Sequence, residues 1–292
     1  MATTKNSAVS EDPVDVLIVL HNKFDLLDFA AVVKVLTSAL HDKNDTATKA
    51  FEITTVGAEA KVLSSQGVLV GPNLSFKDAY EQLDTYDVLV ILGGDYDTVL
   101  KNKAEPLPII KAYSDLQMKD NLRERTLLSV CSGSIFLAEQ GILSGLAATT
   151  HPDYMTAFEN TCSHSSVRDG TDRCDVDEIA RYVVNNLRFD LGDEDENPYI
   201  RRKSDAGQQR SGPGARKGSI SFKGMSRRES VARRAAMRLG GLRVITSGGS
   251  TAGIDATLYL VSILVDEDAA NEVARSLQHN WVKGTVVDGL DV

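Results

Sequence analysis

The stretch RTLLSVCSGSIFLAEQGILSG, Arg125–Gly145, decides the fold. An apolar run ends at Val130, Cys131 stands at a turn, and the small residues Ser132, Gly133 and Ser134 open a segment with helical spacing. A short apolar run that passes through small residues into a helix is a strand-to-helix elbow, and the side chain at its tip projects from the end of the sheet. Towards the N-terminus the same grammar repeats. VDVLIVL (Val14–Leu20) leads into LLDFAAVVKVLTSAL (Leu26–Leu40) and then FEITTVG (Phe51–Gly57), a strand, a helix and a strand. DVLVIL (Asp87–Leu92) and TLLSV (Thr126–Val130) are further short apolar runs, with helical segments near Ile109–Leu122 and Ser134–Gln140. Strands this apolar are buried on both faces. Alternating strands and helices imply right-handed crossovers, so the expected class is α/β: a flavodoxin-like sandwich with a mostly parallel sheet between helices and its site at the carboxyl ends of the strands. Ile254–Val265 and Ala269–Leu277 have helical spacing and read as core.

One segment does not fit this pattern. Residues 190–240 hold 12 Lys/Arg against 7 Asp/Glu, a net of +5, whereas the 292-residue chain as a whole carries −9. The segment opens with the acidic GDEDENP (Gly192–Pro198) and continues RRKSDAGQQRSGPGARKGS, too poor in apolar area to offset the entropy of ordering. Asp190–Ser226 therefore reads as disordered, followed by a basic helix at Arg227–Leu239. Its flanks, ARYVVNNLRF and LRVITSGG, look like a strand pair parted by a long surface insertion. The organisation is thus a disordered N-terminus at 1–13, one domain formed by 14–189 and 241–292, and a basic, low-complexity insertion at 190–240. RRKS (Arg201–Ser204) and RRES (Arg227–Ser230) within it resemble basophilic-kinase sites, which makes a protein kinase acting on Ser204 or Ser230 a candidate partner.

Composition excludes several classes. With Lys+Arg 32 against Asp+Glu 41, a polyanion-binding surface is not expected, so no nucleic acid is proposed as a partner. No run approaches the length of a membrane span and Met1–Pro13 lacks an apolar leader, so the expectation is no membrane and a cytoplasmic or nuclear location. Three cysteines, Cys131, Cys162 and Cys174, are read as free thiols in a reducing compartment.

The chemistry centres on Cys131. Most free cysteines are simply packed, but the elbow sets this one at a helix N-terminus, where a depressed pKa and a thiolate nucleophile are expected, with amides of the turn placed to receive an oxyanion. The first strand-to-helix crossing, NKFDLLDFAAVV, carries Asp25 and Asp28. Asp28 sits among Leu26, Leu27, Phe29 and Ala30, as a helix-start partner or as a carboxyl group of raised pKa that carries a proton for the thiol. Strand 1 and the elbow strand are expected to be neighbours, so that these two loops converge. Gly93 and Gly94 in ILGGDYD allow close backbone approach, as a plain turn or as ligand-binding amides. In TSGGSTAGID, Ser250 and Thr251 either line a pocket or cap a helix. Cys162, His164 and Cys174 match no compact metal spacing, so no metal is assigned. His151 reads as a turn or helix-start residue, and His21 follows strand 1 towards the site.

At FDLLDFAAV, VLVILGGD, VCSGSIFLAEQGILSGLAATTHP and VITSGGSTAGID the chain resembles the ThiJ/PfpI superfamily, also called class I glutamine amidotransferase-like, over nearly all of Val14–Lys283 outside the insertion. The most similar subgroup is the isocyanide (isonitrile) hydratases, together with the amidotransferase-like domains of AraC-type regulators. The resemblance implies that Cys131 is the nucleophile, that Asp28 is its partner, and that Ser132 and Gly94 help hold the ligand. It implies a carbon–nitrogen lyase of hydratase type that converts a small-molecule electrophile, an isocyanide, to an N-formamide through a thioimidate, with no cofactor, in a homodimer. Where protease-like, glyoxalase or deglycase members carry His after the cysteine and Glu in the first crossing, this chain has Ser132 and Asp28. Hydratase relatives usually have Thr and a Gly-Pro pair where Ser132 and Ala31-Val32 stand. The alternative implied by the same residues is a non-enzymatic redox sensor in which Cys131 is oxidised and the acid is stabilised by Asp28.

Overall fold

The computed structural model describes residues 12–186, 200–201 and 239–288. The disorder expected for most of 1–13, nearly all of the 190–240 insertion with its expected helix, and Ser204 and Ser230 lie outside those residues.

The chain runs β1 (Val14–Leu20), α1 (Leu26–Ser38), β2 (Phe51–Gly57), β3 (Val62–Leu63), β4 (Leu69–Val70), β5 (Leu74–Ser75) and α2 (Phe76–Glu81). It continues through β6 (Val88–Ile91), α3 (Tyr96–Asn102), α4 (Leu107–Lys119), β7 (Thr126–Ser129), α5 (Gly133–Glu139), β8 (Ala147–Ala148), α6 (Met155–Asp169) and β9 (Asp175–Val176). Then come β10 (Tyr182–Asn186), β11 (Ile200–Arg201), β12 (Arg243–Ser247), α7 (Ser250–Leu264), α8 (Glu267–Ser276) and β13 (Thr285–Asp288).

Nine strands form the main sheet in the order β11-β13-β10-β12-β7-β6-β1-β2-β5. From β12 to β5 every pairing is parallel, and the turnover comes at β10, antiparallel to β12 with Tyr182 opposite Ser247 and Asn185 opposite Val244. The expected mostly parallel, flavodoxin-like sandwich is what the chain forms. The flanks of the insertion are the strand pair their sequences suggested, and Ile200–Arg201 return from within it to pair with β13 at the sheet edge.

The alternation in β1 shows why the strands are apolar throughout. Val16, Ile18 and Leu20 face a layer with Val32, Val35 and Leu36 of α1 and Ala256 and Leu260 of α7. Leu17 and Val19 face the opposite layer with Ile109, Ile110 and Tyr113 of α4 and Phe136 of α5. β1, β6 and β7 are thus sealed on both sides, and burying the side chain of one such residue contributes about 1.5–3 kcal/mol. No helix of the described residues is long and apolar enough to cross a membrane.

Two expectations are corrected here. β1 and β7 are not neighbours, because β6 lies between them. The helix expected from Ile254 begins at Ser250, with Gly249 as its N-cap, since the small residues of STAG carry no apolar period to mark the first turn.

Candidate active site

Three strand ends meet where the chain was expected to do chemistry, and the separation of β1 from β7 by β6 explains how. Gly93 follows β6 and fills the space between the other two loops. A Cβ built on it would lie 2.8 Å from Asp28 Oδ2 and 2.8 Å from Cys131 Cβ. Only a residue without a side chain lets a first-crossing carboxylate reach a thiol two strands away. Gly94 has φ +143°, and a Cβ there would lie 2.2 Å from the Lys23 carbonyl oxygen, so the second glycine is required as well.

Cys131 stands at the elbow with φ +57°, a left-handed conformation that costs a non-glycine residue of order 1 kcal/mol or more and persists because its surroundings hold it. Its N–H donates to Gly248 O at 2.9 Å, while its carbonyl accepts from Thr150 Oγ1 at 3.1 Å and Ser134 Oγ at 3.3 Å. The Gly248 amide donates in turn to Arg181 O at 2.9 Å. The residue is 9% exposed.

Asp28, fully buried in the first turn of α1, accepts from Ser250 Oγ at 2.6 Å and from the Gly93 amide at 3.2 Å, and is hydrogen-bonded to Cys131. Burial pushes its carboxyl up to about 6, against the opposing pull of the Ser250 hydroxyl. The expectation of a raised carboxyl beside the thiol therefore matches this geometry. The expectation of a depressed thiol does not. Burial and the Asp28 charge push Cys131 up to about 12, and the amide of Ser132 opposes them only in part. α5 has seven residues, so the helix terminus on which the expectation relied is weak next to a carboxylate in contact. At neutral pH the pair holds one proton, resident on sulfur.

Ser132 and Gly94 occupy each other. The Gly94 amide donates to Ser132 Oγ at 3.0 Å, and the hydroxyl donates back to Gly94 O at 3.3 Å. Cys131 N–H is likewise committed to Gly248, so these groups brace the elbow in this state, and only the Ser132 amide is aimed at the sulfur. His21, placed by sequence on the way to the site, is buried beneath Gly94 with its ring nitrogens 3.0 Å from Asn22 O and 3.3 Å from Leu92 O, and burial lowers its pKa. His151 is the helix-start residue its position suggested, its Nδ1 accepting from Asp153 N at 3.1 Å, yet its ring also lies 2.8 Å from where a Cβ on Gly249 would sit. Cys162 and Cys174 are free thiols buried together, Cys174 hydrogen-bonded to Cys162, while His164 is exposed two residues along α6. No group of three or more His, Cys, Asp or Glu side chains that could hold a metal ion occurs among the described residues.

Sequence reasoning left Ser250 undecided between pocket and cap, and passed over Thr150, Tyr96, Tyr154 and Asp255. Asp255 is a fully buried carboxylate on α7, contacted by Arg181 Nε at 2.6 Å, His279 Nε2 at 2.8 Å and the Val282 amide at 3.0 Å. The available signal was a lone carboxylate inside an apolar helix, the same signal that had singled out Asp28.

The profile of the DJ-1/PfpI family matches residues 14–178. Among curated protein sequences none matches the chain. Among solved structures, the chain is similar to Drosophila melanogaster DJ-1beta, at TM-score 0.54 and 16% identity over 92% of this chain and 100% of that one. Schizosaccharomyces pombe DJ-1 gives TM-score 0.54 and 15% identity over 91% and 100% of the two chains. A ThiJ/PfpI family protein from Pseudomonas syringae gives TM-score 0.52 and 16% identity over 97% and 82%. At these identities the structures show a shared fold, and with more than half of its length matched by the family profile, the chain belongs to the DJ-1/PfpI family.

Proposed function

We propose that the protein is a cysteine-nucleophile enzyme of hydratase type, adding water across the terminal carbon of an isocyanide or related small electrophile. The observation that carries this reading is Asp28: a carboxyl group fully buried, bonded only to neutral donors, raised to about 6 and in contact with the thiol of Cys131. A group with a pKa near the working pH, touching the nucleophile, is suited to move a proton in both directions.

In the first step the Cys131 proton passes through Asp28 to the isocyanide carbon as sulfur bonds to that carbon, giving a thioimidate. Passing the proton within the pair creates no second negative charge, and the carboxylic acid and the Ser132 amide both donate to the sulfur while it is anionic. In the second step water adds across the C=N bond, Asp28 taking one water proton and passing it to nitrogen, and the proton of the resulting hydroxyl then passes through Asp28 to sulfur as the carbonyl forms and the C–S bond breaks. The products are an N-formamide and the thiol, so every atom is accounted for without a cofactor.

The redox-sensor reading asks for an accessible thiolate. Both readings use the Cys131 sulfur; a carboxyl poised to carry a proton in both directions, Asp28, favours the enzyme. Steady-state turnover of an alkyl and an aryl isocyanide tests the proposal: formamide production lost in Cys131→Ser and in Asp28→Asn supports it, and its absence in the unaltered protein overturns it.

A further inference from the structure

Three aromatic rings form a row beside the site. Tyr96 and Tyr154 meet edge to face with centroids 5.5 Å apart at 72°, and His151 adjoins Tyr154 at 5.5 Å and 53°. The row hangs on the loops that build the site: Tyr96 N–H donates to Gly94 O and Tyr154 N–H to His151 O, each at 2.9 Å. Those loops also supply the Gly94 amide to Ser132 and the Thr150 hydroxyl to Cys131. Tyr154 packs partly buried between both apolar layers and is close enough to Cys131 for a charge on sulfur to act on its phenol.

The charges that act directly on the sulfur and the Tyr154 phenol are carboxylates. Asp25 acts on Asp28, Cys131 and Tyr154 alike, pushing each upward. Its own bonds come from the amides of Leu27 and Asp28 and the Gln66 side chain, and those of Asp28 from neutral donors, so neither is offset by Lys or Arg in direct contact. Lys23, on the same rim, lies 3.4 Å from Asp95.

Building on the cysteine-nucleophile reading above, we propose that the site selects an uncharged electrophile bearing a flat, aromatic group that stacks on Tyr154 and Tyr96, and rejects electrophiles carrying a carboxylate or phosphate. An anion arriving at sulfur would meet Asp25 and Asp28 across a partly dry gap, where repulsion is far larger than in water. A flat ring gains the edge and face contacts that the two tyrosines already make with each other.

Labelling of Cys131 tests this without turnover, so its failure is separate from failure of the hydratase reading. In the probe reaction Sγ bonds to the methylene carbon of iodoacetamide or iodoacetate, iodide leaves and the thiol proton passes to solvent. The iodoacetamide-to-iodoacetate rate ratio at Cys131, followed by peptide mass spectrometry, is expected to exceed that of free cysteine by about tenfold or more. It should shrink in Asp25→Asn, which keeps the helix cap. N-benzylmaleimide is expected to outpace N-methylmaleimide severalfold, with the advantage kept in Tyr154→Phe and lost in Tyr154→Ala. A charge ratio equal to that of free cysteine, or a benzyl advantage absent from the unaltered protein, overturns the proposal even where a tyrosine variant fails to fold.

Discussion

Asp28 and Asp255 lie on helices that pack against one another, α1 and α7, and both are fully buried, yet the protein treats them in opposite ways. Asp255 is held by the Arg181 guanidinium, the His279 ring and an amide, and its carbonyl accepts from Trp281 Nε1 at 3.1 Å, fastening the C-terminal segment to α7. Asp28 receives a hydroxyl, an amide and a thiol. A buried carboxylate held by a guanidinium and an imidazole organises structure. One without a cation has a movable proton, and the cost of keeping it ionised is the source of its chemistry.

Swapping the two aspartates should separate these roles, with the largest effect on turnover. Asp28→Asn and Cys131→Ser are expected to lower kcat for an isocyanide by about 10³-fold or more, because each removes a group that bonds to or protonates substrate. Asp255→Asn should stay within about tenfold at a temperature where it is folded. Equal losses at both aspartates would erase the distinction.

Gly93→Ala comes next. Its Cβ would press on Asp28 Oδ2 and Cys131 Cβ, so a loss of about 10²-fold is expected with the circular dichroism spectrum retained. Full activity would mean that the contact between acid and thiol is dispensable.

Stability should then move in opposite directions. The folded-state pKa of Asp28, about 6, lies above its ordinary value of 3.8, so the native state holds the proton more tightly than the unfolded chain. The stabilisation this gives is complete below about pH 4 and is lost as pH rises through 6. Near pH 8 the ionised group costs about 2–3 kcal/mol, and Asp28→Asn is expected to recover about 1–2 kcal/mol of it, the Ser250 bond being weakened in exchange. Asp255→Asn should instead cost about 2–3 kcal/mol by depriving Arg181 and His279 of their partner. Urea unfolding of the three proteins at pH 8 measures both, and a destabilised Asp28→Asn would show that the carboxylate is structural.

The smallest effect sharpens the assignment of the proton. The kcat/KM of the unaltered enzyme should rise with pH through about 6 as Asp28 ionises. Ser250→Ala removes a donor to the ionised form, so the midpoint should move upward, by roughly half a unit to one unit. A midpoint that stays put would detach Ser250 from the proton-carrying role.

The layered fold and the elbow were legible because β1, β6 and β7 are short apolar runs buried on both faces, and β6 and β7 lead into Gly93-Gly94 and Ser132-Gly133-Ser134, a local signal. The strand order was not, since nothing in Val88–Ile91 says that it inserts between β1 and β7, and the role of Gly93 depends on that insertion. Cys131 was found for its position at the elbow. Its raised pKa arises first from burial and then from contact with Asp28, 103 positions away in the sequence, neither of which spacing displays. Asp255 was hidden by the company it keeps: IDATLYLVSILV reads as a core helix, and its partners Arg181 and His279 lie in distant loops.

The bond between Ser250 and Asp28 joins residues 222 positions apart, and the excursion from β10 to β12 falls between the halves they belong to. A chain cut inside that excursion would yield one piece with nucleophile and acid but no hydroxyl to steady the acid, and another with the hydroxyl alone. The protein is thus a natural candidate for splitting into complementary fragments, with recovered thiol chemistry reporting that the two pieces have found each other.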